Sequence, residues 1–317
     1  KHPRGKELLK QLVRNADVLV ENFRPGVMAR LGLDYTVLRQ ENPNLIYCAI
    51  SGFGQTGPRN GDPAYDQIIQ GFAGVMSITG SPETKPYRVG YPIADTSGGM
   101  AAAMSIAAAL NAEPRGAFLD VSMTDAVLSA MGWAVSNYLI AGVEPAAHGN
   151  ENTTSAPSGT FATADQPINI AANRDEQWVS LATHIGRTDL LDHPDYVTRE
   201  MRKMHRHALR HEIETVLMTR PAQDWVTELN AIGVPSGPVL SVPQVLDDAQ
   251  IEERDMIVTL SKDGEGIKVT TGPAIIDGDK PMPAHYPPDL GEHNQEVWGA
   301  FGLSPDDIAA LQEEGIL

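Results

Sequence analysis

The sequence has a single cysteine, Cys48, among 317 residues. An internal disulfide and a metal site built from several thiolates are therefore excluded. Basic residues are also scarce, because 24 Lys and Arg stand against 41 Asp and Glu and give a net charge of −17. So acidic a chain argues against a broad surface for nucleic acid or for an anionic membrane. An anionic substrate would need a local basic pocket.

Long apolar runs are few. The most apolar stretch follows Asp95 and is rich in Ala and Met. We expect it to form a buried helix that is too short and too weakly hydrophobic to cross a membrane. A secretory signal peptide is not expected either. The chain opens at Lys1 in a region of helical character, so we expect that an N-terminal piece is missing.

What remains is the composition of an ordinary globular protein, with 42% hydrophobic and 21% charged residues. The length allows two domains. Gly, Asn, Thr, Ser and Pro cluster at 145–160, which is the best candidate for a domain boundary.

Two apolar segments, 16–21 and 45–50, predict buried strands separated by a helix that carries Met28. This order predicts a βαβ unit and a parallel sheet covered on both faces. Asn22 and Phe23 follow the first strand, and Ser51 ends the second. Because ligands of such folds bind beyond the carboxyl ends of the strands, these residues are candidates for a binding site.

Asp95 is a lone carboxylate at the start of the Ala-rich helix, with no other charge between Arg88 and Glu113. Two interpretations remain open. The side chain could cap the helix, which the local pattern alone favours. It could instead be a nucleophile at the positive end of the helix, beside Gly98 and Gly99, which let a ligand approach the backbone.

Three histidines, His205, His207 and His211, alternate with arginines in the second half of the chain. This pattern predicts a solvated basic helix face rather than a metal site. We predict no bound metal.

Seven short segments together resemble the class III coenzyme A transferases, the formyl-CoA and carnitine-CoA transferase group within the α-methylacyl-CoA racemase superfamily. They are 17–26, 30–33, 42–47, 51–58, 63–67, 95–99 and 291–293. The resemblance extends over essentially the whole chain. The first strand, loop and helix of the family would precede Lys1.

The resemblance implies an α/β fold, in which a large domain with a doubly wound, mostly parallel sheet contains a smaller inserted α+β domain. The large CoA-binding domain would cover 1–155, the small domain 156–265, and a C-terminal segment, 266–317, would return to the large domain. Two such subunits are expected to interlock as a homodimer.

The resemblance also implies the site residues. Asp95 would be the catalytic aspartate. From the chemistry alone, we expect backbone N–H groups around Gly98 and Gly99 to donate to the developing oxyanion. The residues expected to bind coenzyme A are Asn22, Phe23, Arg30 and Tyr65.

The implied reaction moves coenzyme A from an acyl-CoA donor, succinyl-CoA or similar, to a carboxylic acid through aspartyl anhydride and aspartyl-CoA thioester intermediates. Coenzyme A is then a substrate and no resident cofactor is needed. The glycine-rich lid of formyl-CoA transferases has no counterpart near 155–175, so formyl substrates are not expected. A reducing compartment fits the chain, namely the cytoplasm, or the mitochondrial matrix in a eukaryote.

Two alternatives stay open. A racemase of the same superfamily would need a histidine where this chain has Tyr65, and a tyrosine, with an ordinary pKa of about 10, is a poor base at neutral pH. A non-catalytic CoA-binding protein is the other alternative, against which the intact Asp95 argues.

Overall fold

The computed structural model describes residues 1–317, which form two compact units. Unit 1 comprises Lys1–Gly149 and Leu290–Leu317, and unit 2 comprises Asn150–Asp289. The predicted boundary at residue 265 is too early, because a hairpin pairs Ile257–Lys262 with Glu265–Thr270 across it.

Unit 1 is built on a three-stranded parallel sheet. Its strands are β1 (Val18–Glu21), β2 (Ile46–Ser51) and β3 (Ala117–Ser122), in the order β1-β2-β3. The helices of its first segment are α1 (Pro3–Arg14), α2 (Val27–Leu31), α3 (Tyr35–Glu41), α4 (Asp66–Phe72), α5 (Ile93–Leu110), α6 (Met123–Ala130) and α7 (Trp133–Ala141). The predicted parallel sheet is confirmed.

Helices cover both faces of this sheet. Side chains alternate along β2, so this strand contributes apolar residues to both faces. Tyr47 and Ala49 point to one face and join the core formed with α1, α2 and α3. Cys48 points to the other face, where it packs with Ala102 of α5 and Val121 of β3. Tyr47, Cys48 and Ala49 are all buried, as expected for residues of the central strand of a parallel sheet.

Helix α5 corrects one expectation from the sequence. With 18 residues it is long and apolar enough to cross a membrane, by length and composition alone. It reaches this length because it begins at Ile93, before Asp95. Only 17% of this stretch is buried, on the face that carries Ala94, Gly98 and Ala102.

Glycines separate consecutive helices at two places in unit 1. Gly132, whose φ is 50°, lies between α6 and α7. Gly74, whose φ is 84°, lies between α4 and a 3-10 helix, Val75–Ile78. Both glycines adopt a backbone conformation that other residues rarely take.

Unit 2 combines helices with short antiparallel sheets. Its strands are β4 (Ser158–Phe161), β5 (Ile168–Ala171), β6 (Ser236–Pro238), β7 (Ile257–Lys262) and β8 (Glu265–Thr270). Its helices are α8 (Asp175–His184), α9 (Arg199–Met204), α10 (Arg206–Leu217), α11 (Ala222–Ala231), α12 (Val242–Leu246) and α13 (Ala249–Glu253). Trp178 and Trp225 are buried in its core.

The last segment of the chain completes unit 1. It forms α14 (Asn294–Ala300) and α15 (Pro305–Glu313). Trp298 and Ile308 pack against Leu8 of α1, so the two ends of the chain share one small apolar core.

Candidate active site

A cavity of about 660 Å³ lies beyond the carboxyl ends of β1 and β2 in unit 1. The predicted site residues that line it are Asn22, Phe23, Tyr65, Asp95 and Gly99. These residues are far apart in sequence and meet because parallel strands end at one edge of the sheet.

Two hydrogen bonds fix the loop after β1. Asn22 Nδ2 donates to the carbonyl oxygen of Ile50 at 2.9 Å, which ties this loop to β2. The Phe23 N–H donates to Glu21 Oε2 at 2.7 Å. Burial raises the pKa of Glu21, although the bonds from Phe23 and Tyr47 oppose this shift. The loop thus presents a half-exposed Phe23 ring to the cavity.

Asp95 lies in the first turn of α5, which begins at Ile93 with Pro92 as its N-cap residue. The interpretation of Asp95 as the cap is therefore wrong, and no capping bond is made. Its side chain is open to the cavity. Partial burial, and then the negative charge of Asp66, raise the pKa of the Asp95 carboxyl above its usual range.

Gly98 and Gly99 lie within α5, beyond its first four N–H groups. At such positions the N–H donates to the carbonyl four residues earlier, so the predicted role of both as oxyanion donors does not fit the helix. Gly98 is buried, and a Cβ there would lie 3.0 Å from Met123 Cγ. Gly99 faces open space in the cavity wall.

Of the two other residues expected to bind coenzyme A, Tyr65 lines the cavity and Arg30 does not. Tyr65 precedes α4, is 76% exposed and lines the cavity. Arg30 is exposed on α2 and does not line it.

Sequence reasoning missed several residues of the cavity wall. Arg24 is the basic residue of this wall. Asp62 also lines the cavity, and its Oδ2 lies 3.1 Å from Arg59 Nη1. Arg24 closely follows β1, so the rule that ligands bind beyond strand ends applies to it as it does to Asn22 and Phe23. Asn60 and Asp62 lie in an irregular loop without a periodic signal.

The structure contains no group of three or more His, Cys, Asp or Glu residues arranged to hold a metal ion. Of the three histidines singled out in the sequence, His205 directly follows α9, and its Nε2 lies 3.6 Å from Asp195 Oδ1. His207 and His211 lie on α10.

Comparison with known proteins decides the family. The model of CoA-transferase family III matches residues 1–294. The chain belongs to this family. It is 38% identical over 296 residues to the acetyl-CoA:oxalate CoA-transferase of Acetobacter aceti, covering 92% of this chain and 75% of that protein.

Other relatives of this class III CoA-transferase agree. It is 36% identical over 302 residues to the succinate–glutarate CoA-transferase of Agrobacterium fabrum, covering 94% of this chain and 75% of that protein. The crystal structure of a CAIB/BAIF family protein from Brucella suis superposes with a TM-score of 0.85 at 33% identity, covering 94% of this chain and 79% of that one. The predicted enzyme class is confirmed.

Proposed function

We propose that this enzyme moves coenzyme A from an acyl-CoA donor to a carboxylic acid, with Asp95 as the nucleophile. One observation carries the proposal: Asp95 lies in the wall of the strand-end cavity, together with Asn22, Phe23 and Tyr65. A carboxylate is a weak nucleophile, but a thioester is an activated acyl donor.

In the first half of the reaction, an Asp95 oxygen attacks the thioester carbonyl and the C–S bond breaks. The products are a mixed anhydride and the CoA thiolate. The thiolate then attacks the aspartyl carbonyl of the anhydride. This step releases the donor acid as a carboxylate and leaves coenzyme A on Asp95 as a thioester.

In the second half, the acceptor carboxylate attacks the aspartyl thioester and expels the thiolate, which gives a second anhydride. The thiolate attacks the acceptor's carbonyl carbon, forms the new acyl-CoA and restores the Asp95 carboxylate. Every step exchanges one leaving group at a carbonyl, so the chemistry requires neither a metal nor a redox cofactor. Water must be kept out, because it would hydrolyse the intermediates.

Asn22, Phe23 and Tyr65 are proposed to bind coenzyme A near its reactive end, since they share the cavity with Asp95. Arg30 lies on α2 outside the cavity wall, and we assign it to a more distant part of the same ligand.

Succinyl-CoA and a small dicarboxylic acid are the proposed substrates. Relatives are named for oxalate, glutarate and mesaconate. Arg24 supports this choice, because it is a basic residue in the wall of the same cavity and a guanidinium can bind a carboxylate through two hydrogen bonds. The proposed compartment is one that keeps thiols reduced, the cytoplasm or the mitochondrial matrix.

We propose an interlocked homodimer. Large apolar side chains of α7 are exposed in unit 1, including Trp133 at 70%, Leu139 at 75% and Ile140 at 85%. Apolar surface of this extent is typical of an interface, and a second copy of the chain is its proposed partner.

Trapping with hydroxylamine tests the nucleophile. Incubation with succinyl-CoA and hydroxylamine should convert the Asp95 thioester or anhydride to a hydroxamate, located by peptide mass spectrometry. Asp95→Asn should lose both hydroxamate and turnover, while Asp62→Asn, another cavity carboxylate, should keep the hydroxamate. Product formation with a hydroxamate elsewhere, or with none, would contradict the proposal.

A further inference from the structure

Asp66, the first residue of α4, contacts the backbone at which α5 begins. Its Oδ1 accepts a hydrogen bond of 2.8 Å from the N–H of Ala94. Ala94 is fully buried and directly precedes Asp95 in the chain. The bond therefore joins Asp66 to the backbone that carries the proposed nucleophile.

Gln70, one helical turn further along α4, extends this connection. Its Nε2 donates to Asp66 Oδ2 at 2.7 Å, and its Oε1 accepts from the N–H of Val89 at 2.9 Å. Nε2 also lies 3.3 Å from the carbonyl oxygen of Tyr91. Gln70 is fully buried, so water cannot readily replace these partners. Together the two side chains hold the segment that leads into α5.

The bonds to Asp66 come from an amide N–H and a side-chain amide, both of them neutral. Neither bond partner of the carboxylate is a cation. Partial burial of Asp95 raises its pKa, and the negative charge of Asp66 raises it further. Besides Asp66, titratable groups occur on the elements around the start of α5, on the segment that leads into it and in the cavity wall. They are Tyr47, Cys48, Asp120, Asp125, Tyr87, Arg88, Tyr91, Arg24, Asp62 and Tyr65.

We propose that Asp66 is a positioning residue for the reaction, which with Gln70 holds Asp95 at the cavity and keeps a negative charge beside it. This inference rests on the proposed role of Asp95. Asp95 must be ionised to attack a thioester, and a more basic carboxylate is the stronger nucleophile once ionised. The pair would thus set both the place and the reactivity of Asp95.

A pair of substitutions tests this role. In Asp66→Asn, the new amide keeps an acceptor for the Ala94 N–H but turns an N–H₂ toward the donor of Gln70. In Asp66→Asn/Gln70→Glu, the new glutamate accepts from that N–H₂ and from the Val89 N–H. The double variant thus restores the bond between the two side chains, gives up the 3.3 Å bond to the Tyr91 carbonyl oxygen, and carries the negative charge on residue 70 instead of residue 66.

We expect Asp66→Asn to lower kcat by about 10- to 100-fold, the cost of misplacing a reacting group. The acidic limb of its kcat–pH profile should move to lower pH, because the pKa of Asp95 falls when the neighbouring charge is removed. The double variant should recover kcat toward the wild-type value, because the hydrogen bonds between residues 66 and 70 again hold the start of α5. Asp34→Asn removes another carboxylate that accepts a backbone N–H at a helix start, and it should leave the limb in place.

Carbon-13 NMR of the aspartate carboxyl groups, with the Asp95 signal assigned from Asp95→Asn, follows the same titration without any turnover. The inference would be overturned if the Asp95 carboxyl group titrated with the same midpoint in Asp66→Asn as in the wild type. So would a folded double variant as slow as the single variant. If the wild-type protein transfers no coenzyme A, the proposed function fails, and the NMR titration still decides whether Asp66 acts on Asp95.

Discussion

Asn22 Nδ2 donates a hydrogen bond of 2.9 Å to the carbonyl oxygen of Ile50, and so joins the loop after β1 to the end of β2. The same loop carries Phe23 and Arg24 into the cavity wall. Asn22 therefore has a structural role beside its proposed contact with coenzyme A. The floor of the cavity depends on this bond between two neighbouring strand ends.

Arg24→Gln should raise KM for the anionic substrates by about 10- to 100-fold with a smaller change in kcat, the usual cost of a lost charge-assisted hydrogen bond. The protein carries a net charge of −17, so an anion gains much from the cation of the cavity wall. Steady-state kinetics at low and high salt check this, with Arg4→Gln on α1 as control. Unchanged KM values for both the acyl-CoA and the acid would contradict it.

Gly99→Ala and Gly98→Ala form a matched pair on α5. Each adds the same methyl group, and Ala is preferred to Gly in a helix by about 1 kcal/mol. The methyl at Gly99 meets nothing within 4 Å, whereas the one at Gly98 lies 3.0 Å from Met123 Cγ. We expect Gly99→Ala to raise Tm more than Gly98→Ala does. Gly99→Ala should nevertheless lower kcat/KM, because its methyl group enters the cavity.

Thermal unfolding and steady-state kinetics on the same preparations test this pair. A greater gain in Tm for Gly98→Ala would mean that Met123 does not constrain α5. Normal kcat/KM in Gly99→Ala would mean that substrate does not approach this part of the wall.

Ile140→Asp should weaken association of the chain, because it places a charge in the exposed apolar surface of α7. Sedimentation velocity at micromolar and nanomolar concentrations should show more monomer than for the wild type. Leu290→Asp is the control, since it alters a fully exposed leucine outside α7. Equal association of both variants would argue against the proposed dimer surface.

Unit 2 should lose stability in acid through Glu228. The carboxylate accepts bonds from Arg220 and His184, which lower its pKa to about 2 from an ordinary value of 4.5. The folded state thus favours the ionised form, so this contribution is complete above pH 4.5 and is lost as the pH falls toward about 2.

Chemical denaturation at neutral pH and at about pH 3 measures how much the free energy of unfolding falls in acid. Glu228→Gln should be less stable than the wild type at neutral pH, and the difference should shrink in acid. Glu253→Gln, which alters an exposed carboxylate of the same unit, should change the stability little at either pH. A constant difference across the pH range would show that the Glu228 charge does not matter.

Local chemistry in the sequence is enough to predict several parts of this protein. The apolar runs at 16–21 and 45–50 specify strands, and the polar residues that follow each run lie at the predicted edge of the parallel sheet. The motifs were specific enough to identify the family. Asp95, isolated among uncharged residues, was recognisable as a candidate nucleophile.

Tertiary structure decided the rest, because it depends on pairs that lie far apart in the chain. Asp66 accepts a hydrogen bond from the N–H of Ala94, 28 residues away in the sequence, and no local pattern predicts that bond. Whether Gly98 and Gly99 could offer N–H groups depended on the residue at which α5 begins. Local sequence leaves a helix end uncertain by about one or two residues, and here the packing of Ala94 in the core fixes the start of α5.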